Sequence, residues 1–373
     1  MIAGRIARRM LVAPRTRPEE AALGPDLDRL GGEVIRIRSR DGLRLSARWL
    51  DADAAAKVTG VDVASATPSS KSVWQPDLAD PTWRSDPERP AWRPDAYEAI
   101  VLLHGYSGSV APDLVEYGPV LRRTAGVLGL DFRGHGESDD GETTFGLHEV
   151  DDVGGALAWL GERGIRRVAL AGTSMGGIVA IASAVVLGDG GLTSVDAEPD
   201  APRLTSPAPR PRIVGLVGEA VPADLPTVVA NRTRGPGPIR RWLARRAFAI
   251  AAGRLGGDPR ATEPIRVLSL LEDLPVLLIH GDADATVPPS QGRRLAAALG
   301  PGGEHWTIPG AGHALGRRTA PGAWDERVTE FLRRAFSAGR DRDLALGILG
   351  SPVAEPSDVQ DASPHPEEAD QLA

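Results

Sequence analysis

The sequence predicts an α/β protein in which a mostly parallel central sheet is flanked by helices. Short apolar runs typical of buried strands alternate with longer segments of helical periodicity from about residue 99 to residue 338. This alternation is typical of βαβ units, in which a crossover helix joins two parallel strands. The chain has 373 residues, of which 42% are hydrophobic, and this suffices for one large core.

Two features precede the alternating region. Residues 33–49 are predicted to form a β-hairpin, because apolar and polar residues alternate on both sides of a central Asp-Gly turn.

The alternation of apolar and polar residues is absent from residues 51–96. This segment contains three Trp-x-x-Asp sequences spaced nine residues apart, at Trp74, Trp83 and Trp92. We expect an extended insertion that its indole rings hold to the surface; the alternative is a tryptophan-lined rim for a substrate or partner.

The predicted elements of the alternating region follow from the apolar runs and their periodicity. The predicted strands are residues 99–103, 126–130, 168–171, 213–217, 275–279 and 304–308. The predicted helices are residues 112–124, 147–163, 178–187 and 322–338. The chain therefore divides into an N-terminal segment (1–32), one domain (33–337) and an acidic, proline-containing C-terminal tail (338–373) that we expect to be disordered.

The most informative motif is the Gly-x-Ser-x-Gly sequence from Gly172 to Gly176. It directly follows the apolar run 168–171 and leads into the apolar segment 178–187, so it lies on a sharp turn from strand to helix. Such a turn strains the backbone of Ser174 and requires neighbours without side chains at the two glycine positions. It also lifts the Ser174 hydroxyl above the sheet, at a helix N-terminus that favours negative charge. The motif predicts a nucleophilic serine.

A serine hydroxyl needs a base that accepts its proton and a third group that orients the base. His313 lies in a loop just after a predicted strand, from which its side chain can reach over the sheet. Asp282 and Asp284 follow another strand. We favour Asp284 as the orienting acid because it lies farther beyond the strand end, and we expect Asp282 to brace the turn. Serine, acid and histidine then follow the chain order expected at the carboxyl ends of parallel strands.

The loop His104–Ser109 follows the first central strand and contains two glycines that let backbone N–H groups approach a ligand. The N–H groups of Tyr106 and Met175 are therefore candidate donors to the oxyanion of a tetrahedral intermediate. We expect His104 itself to be a packed histidine that supports this loop. The segment 131–138, after the next strand, is interpreted as a hydrogen-bonded structural turn rather than a phosphate or metal site.

Five motifs in this order, HGYSGS, DFRGHGES, GTSMGG, HGDADATVP and GAGH, resemble the α/β-hydrolase superfamily, and most of all its branch of cap-bearing esterases, lysophospholipases and serine aminopeptidases. The resemblance covers residues 33 to 337 and implies the α/β-hydrolase fold with a helical cap, without a cofactor or metal. It implies these roles: Ser174 as nucleophile, Asp284 as acid, His313 as base, and Tyr106 and Met175 as oxyanion donors. The serine departs from the aspartate nucleophile of epoxide hydrolases and haloalkane dehalogenases, so those activities are disfavoured.

In folds of this kind the cap usually precedes the acid-bearing strand, which here corresponds to residues 218–266. A helix over 238–252 is predicted to have one apolar face, formed by Ile239, Trp242, Leu243, Ala247 and Ile250. Trp242 and Tyr106 are candidate substrate-binding residues. Residues 229–266 carry nine arginines against two acids, a net charge of +7. We expect a solvated basic face; the alternative is a face that attracts an anionic acyl substrate or a membrane surface.

Composition excludes several classes of function. The absence of cysteine excludes disulfides, thiol catalysis and cysteine-ligated zinc, and the net charge of −7 disfavours a nucleic-acid binder. The apolar run after the first arginines is too short for a signal peptide, so we expect a cytoplasmic protein of unassigned oligomeric state, with peripheral membrane contact disfavoured.

The sequence thus predicts a serine hydrolase, of the carboxylesterase type, that cleaves small-molecule acyl esters through an acyl-enzyme on Ser174. The alternatives are an acyltransferase, a lysophospholipase or a peptidase with the same triad, and a non-catalytic ligand-binding protein. An aminopeptidase ranks lower because the predicted cap is mostly basic.

Overall fold

The structure, a computed structural model, describes residues 2–53, 97–188, 210–232 and 237–346. Within these ranges eight strands form a single sheet with the spatial order β1-β2-β4-β3-β5-β6-β7-β8. The strands are β1 (Glu33–Arg38), β2 (Arg44–Leu50), β3 (Glu98–Leu103), β4 (Gly126–Leu130), β5 (Arg167–Thr173), β6 (Arg212–Glu219), β7 (Val276–Gly281) and β8 (Gly303–Ile308).

Two neighbouring pairs, β1 with β2 and β2 with β4, are antiparallel. All the other neighbouring pairs of the sheet are parallel. Both the mostly parallel sheet and the N-terminal hairpin are therefore confirmed. Every residue of β3 and β5 is buried. Apart from Glu98 and Arg167 at their first positions and Thr173 at the end of β5, their sequences are apolar rather than alternating, because helices cover both faces of the sheet.

The described residues contain eleven α-helices, of which the sequence predicts five. They are α1 (Ile2–Leu11), α2 (Gly24–Leu30), α3 (Ala111–Leu121), α4 (Glu149–Glu162), α5 (Met175–Leu187), α6 (Leu225–Arg232), α7 (Gly237–Leu255), α8 (Pro264–Val267), α9 (Pro289–Ala296), α10 (Gly316–Thr319) and α11 (Pro321–Ala345). Helices α4 and α5 pack on one face of the sheet, and α3 and α11 pack on the other. No helix among the described residues is long and apolar enough to cross a membrane.

The helix predicted over 238–252 is present as α7, but its predicted apolar face is wrong at three of its five residues. The buried residues of α7 are Ala244, Ala247, Phe248 and Ala251. Ile239, Trp242 and Ile250 are instead exposed, by 52%, 59% and 38%. Helix α7 has a packing partner that its own sequence does not show, because α1 from the N-terminal segment packs against it.

The predicted domain boundary at residue 337 is also too early, because α11 continues to Ala345. The extension carries Asp343, which is buried and accepts a hydrogen bond of 2.8 Å from the buried Arg167 on β5. Glu98 accepts a second bond from Arg167, at 3.0 Å. A buried guanidinium must be paired, and this pairing holds the end of α11 on the sheet. The tryptophan repeat and residues 347–373 lie outside the described residues.

Candidate active site

Ser174 lies on the turn between β5 and α5, with φ of 53° and ψ of −109°. A non-glycine residue rarely adopts this left-handed region, so the backbone is strained, as predicted. The Ser174 N–H donates to the Glu219 carbonyl at 2.8 Å. The neighbouring strand β6 thus holds the turn in place.

The glycines of the motif are required by close approaches of the backbone. A Cβ at Gly172 would lie 2.3 Å from the Gly176 carbonyl oxygen, and a Cβ at Gly176 would lie 2.0 Å from the Leu103 carbonyl oxygen on β3. Neither colliding group is a side chain that could rotate away. The predicted steric role of both glycines is therefore confirmed.

We expect Gly176→Ala to destabilise the fold by at least about 3 kcal/mol, because the collision is with backbone. The melting temperature in thermal denaturation followed by circular dichroism should fall by at least about 5 °C. Gly253→Ala is the matched control, since a Cβ there meets nothing within 4 Å on helix α7. It should be neutral or stabilising by up to about 1 kcal/mol. Equal melting temperatures for the two variants would contradict the steric argument.

His313 lies within hydrogen-bonding distance of both other predicted triad residues, Ser174 and Asp284. His313 Nε2 is 3.1 Å from Ser174 Oγ, and His313 Nδ1 is 2.8 Å from Asp284 Oδ2. Asp284 is only 2% exposed, and its Oδ1 accepts the N–H groups of Thr286 and Val287, each at 2.8 Å. An ionised carboxylate only accepts, so His313 Nδ1 donates to it and Nε2 is left to accept the Ser174 hydroxyl proton.

The two candidate acids have different contacts. Asp284 contacts His313, whereas Asp282 is exposed and accepts the Gly310 N–H at 2.6 Å. Gly310 belongs to the loop that carries His313. Asp282 therefore braces the histidine loop and not its own turn, so that prediction is wrong; the turn is held by Asp284, which accepts from Thr286 and Val287. Asp284 is also the acid that can orient the base.

The candidate oxyanion donors lie on either side of the serine. Met175 is the first residue of α5, so its N–H precedes the helix's own hydrogen bonds. A Cβ at Gly105 would lie 3.9 Å from Ser174 Cβ, which shows that the loop carrying Tyr106 passes beside the serine. The Tyr106 carbonyl accepts a bond of 2.8 Å from His135 Nε2, and this contact fixes the loop.

Comparison with known proteins identifies the family of the chain. A family model described as the alpha/beta hydrolase family matches residues 100–324. The chain belongs to the alpha/beta hydrolase family. Similar solved structures include the Pyrococcus furiosus esterase Pf2001, 19% identical with a TM-score of 0.51, where the match covers 87% of this chain and 98% of that one. Another is the alpha/beta hydrolase GrgF from Penicillium sp. sh18, 16% identical with a TM-score of 0.52, covering 83% of this chain and 100% of that one. A search of the curated proteins finds no match.

At these identities the solved structures establish the fold of this alpha/beta hydrolase, which is the predicted one. Among the described residues no group of three or more histidine, aspartate or glutamate side chains is placed to hold a metal ion.

His104 and the segment 131–138 have the structural roles predicted for them in this alpha/beta hydrolase. His104 is buried; its Nε2 accepts the Phe132 N–H at 3.1 Å, so its Nδ1 donates to the Gly105 carbonyl at 2.7 Å. Burial lowers the pKa of His104 well below its usual value, and the neighbouring His135 lowers it further. The Asp131 carboxylate accepts backbone N–H groups at 2.7 and 3.3 Å. These groups hold the two loops beside the serine.

Glu219 is a site residue that the sequence motifs do not indicate. Its carboxylate accepts the Gly316 N–H at 2.7 Å and the Trp324 indole N–H at 2.9 Å, while its carbonyl accepts from Ser174. Burial raises the pKa of this carboxyl. Glu219 thus connects the serine turn to the chain just after His313. The signal available in the sequence is an acid at the end of an apolar strand.

The N-terminal segment also contacts the site, which the sequence does not indicate. Arg17 donates to the Ser107 carbonyl at 3.0 Å, and Glu20 accepts the Ser109 N–H at 3.1 Å. The Tyr106 ring stacks on Phe145, with centroids 5.7 Å apart, and its hydroxyl donates to a carbonyl of α1. The candidate oxyanion loop is therefore tied to residues about 90 positions earlier, a pairing that no local motif encodes.

Proposed function

We propose that the protein is a serine hydrolase that cleaves carboxylic esters through an acyl-enzyme on Ser174. The observation that carries the proposal is the continuous set of contacts from Asp284 through His313 to the Ser174 hydroxyl. Family membership supports hydrolase chemistry in general. The buried carboxylate supports the finer mechanism, because it keeps the His313 proton on Nδ1.

In the proposed reaction Ser174 Oγ attacks the acyl carbonyl carbon while His313 Nε2 takes the hydroxyl proton. The resulting oxyanion accepts hydrogen bonds from the N–H groups of Met175 and Tyr106, at a helix N-terminus that favours negative charge. His313 then gives its proton to the leaving alkoxide, and the ester C–O bond breaks. Water repeats the sequence on the acyl-enzyme, which releases the carboxylic acid and restores the serine.

The first test is labelling with a fluorophosphonate, which forms a covalent adduct only with an activated serine. We expect one adduct in the native protein, located at Ser174 by mass spectrometry of peptides. Ser174→Ala should abolish it, and the matched control Ser290→Ala, at an exposed serine on α9, should leave it unchanged. Screening of esters by acyl length and charge then follows. An unlabelled native protein that also hydrolyses no ester would favour the non-catalytic ligand-binding alternative.

A further inference from the structure

Helix α7 exposes apolar side chains where a solvated helix would carry polar ones. Ile239, Trp242, Arg246 and Ile250 follow one another at spacings of three, four and four residues, so they lie on a single face. The buried residues of α7 lie on the opposite face, toward the body of the protein. The outward face therefore combines three large apolar side chains with a central arginine.

Helix α1 is a second basic helix in contact with α7. It packs against α7, and its buried residues are Ala7, Met10 and Leu11. Its exposed side chains include Ile2, which is 63% exposed, together with three arginines. We refer to the exposed isoleucine, tryptophan and arginine side chains of α1 and α7, except Arg254, as the basic face. The full set is Ile2, Arg5, Arg8, Arg9, Ile239, Arg241, Trp242, Arg245, Arg246 and Ile250.

The charge of these two helices is opposite to that of the whole chain. Together α1 and α7 contain eight arginines and no acidic residue, whereas the protein has a net charge of −7. Arg254 pairs with Glu142 at 2.7 Å. Within the described ranges, no carboxylate lies within ion-pair distance of the other seven. Arg240 is half-buried, and the positive charge of the six exposed arginines is available to an external anion.

We propose that the basic face docks on a lipid bilayer that contains anionic lipids. Helices that lie in a membrane interface place tryptophan and aliphatic side chains at the boundary between headgroups and acyl chains, and arginines at the lipid phosphates. A merely solvated basic face would account for the arginines but not for the outward Ile239, Trp242 and Ile250. The proposal is independent of the proposed esterase activity, so binding is measured on the Ser174→Ala protein as well as the native one.

The experiment is flotation of the full chain with vesicles of phosphatidylcholine alone and of phosphatidylcholine mixed with phosphatidylglycerol. We expect the protein to float only with the anionic vesicles. Added sodium chloride should release it, because salt screens the attraction between arginine and lipid phosphate. Failure to float with anionic vesicles at low salt would overturn the proposal, including the case in which the protein binds nucleic acid or a protein instead.

Variants test whether vesicle binding depends on the basic face itself or on the overall charge and hydrophobicity of the protein. The double variant Arg245→Gln with Arg246→Gln should lower the vesicle partition coefficient about 25-fold, at about fivefold for each arginine. Trp242→Ser should lower it about tenfold on anionic vesicles. Matched controls are Arg123→Gln with Arg293→Gln, two exposed arginines elsewhere, and Leu344→Ser on α11, where the leucine is as exposed as Trp242. The controls should bind like the native protein, and an equal loss in controls and basic-face variants would overturn the proposal.

Discussion

Replacing His313 with glutamine should lower kcat/KM for a p-nitrophenyl ester by about 10⁴- to 10⁶-fold. Glutamine preserves most of the side-chain volume but cannot take a proton from Ser174 Oγ, which lies 3.1 Å from the histidine nitrogen. The loss should fall on kcat rather than KM, because the proton transfer occurs only as the reaction proceeds. Steady-state kinetics with both constants resolved provide the measurement.

A matched control tests whether this loss is specific to His313. His305→Gln on the edge strand β8 is the matched control and should retain native kinetics. Native kinetics in His313→Gln would contradict its assignment as the base.

The candidate site was predictable from the sequence where its cause is local. The need for Gly172 is local, because a Cβ there would collide with Gly176 in the same motif, whereas Gly176 is required by the Leu103 carbonyl on the neighbouring strand β3. The acid and the histidine are candidates because each follows an apolar strand, and the carboxyl ends of parallel strands meet at one edge of a sheet. The motif and the positions of the strands therefore suffice to propose these residues.

The errors concern features that depend on distant partners. Helix α7 carries two apolar sets, one of alanines with Phe248 and one with Ile239, Trp242 and Ile250, and its own sequence does not show which set packs. The choice is made by α1, more than 200 residues earlier. Likewise α11 extends past the predicted boundary because Asp343 pairs with Arg167, 176 residues before it. The apolar periodicity of a segment predicts a helix, but it does not predict which element packs against that helix.

Asp284 is more informative to replace than Asp282, because only Asp284 contacts His313. Its Oδ1 accepts two backbone N–H groups and its Oδ2 accepts from His313. In Asp284→Asn the amide oxygen should remain on the two N–H groups, which turns the NH₂ group toward His313 Nδ1. That nitrogen must then accept, so the ring proton moves to Nε2, which can no longer take the serine proton. We expect kcat to fall about 10⁴-fold, with the melting temperature nearly unchanged.

Asp282→Asn is the matched control for this substitution, because it makes the same chemical change two residues away. The asparagine oxygen can still accept the Gly310 N–H, so the histidine loop keeps its brace and kcat should stay within about threefold of native. The comparison isolates the tautomer of His313 from any general effect of removing negative charge near the site. Equal losses in the two variants would mean that the charge matters rather than the proton position, and the role given to Asp284 would then be wrong.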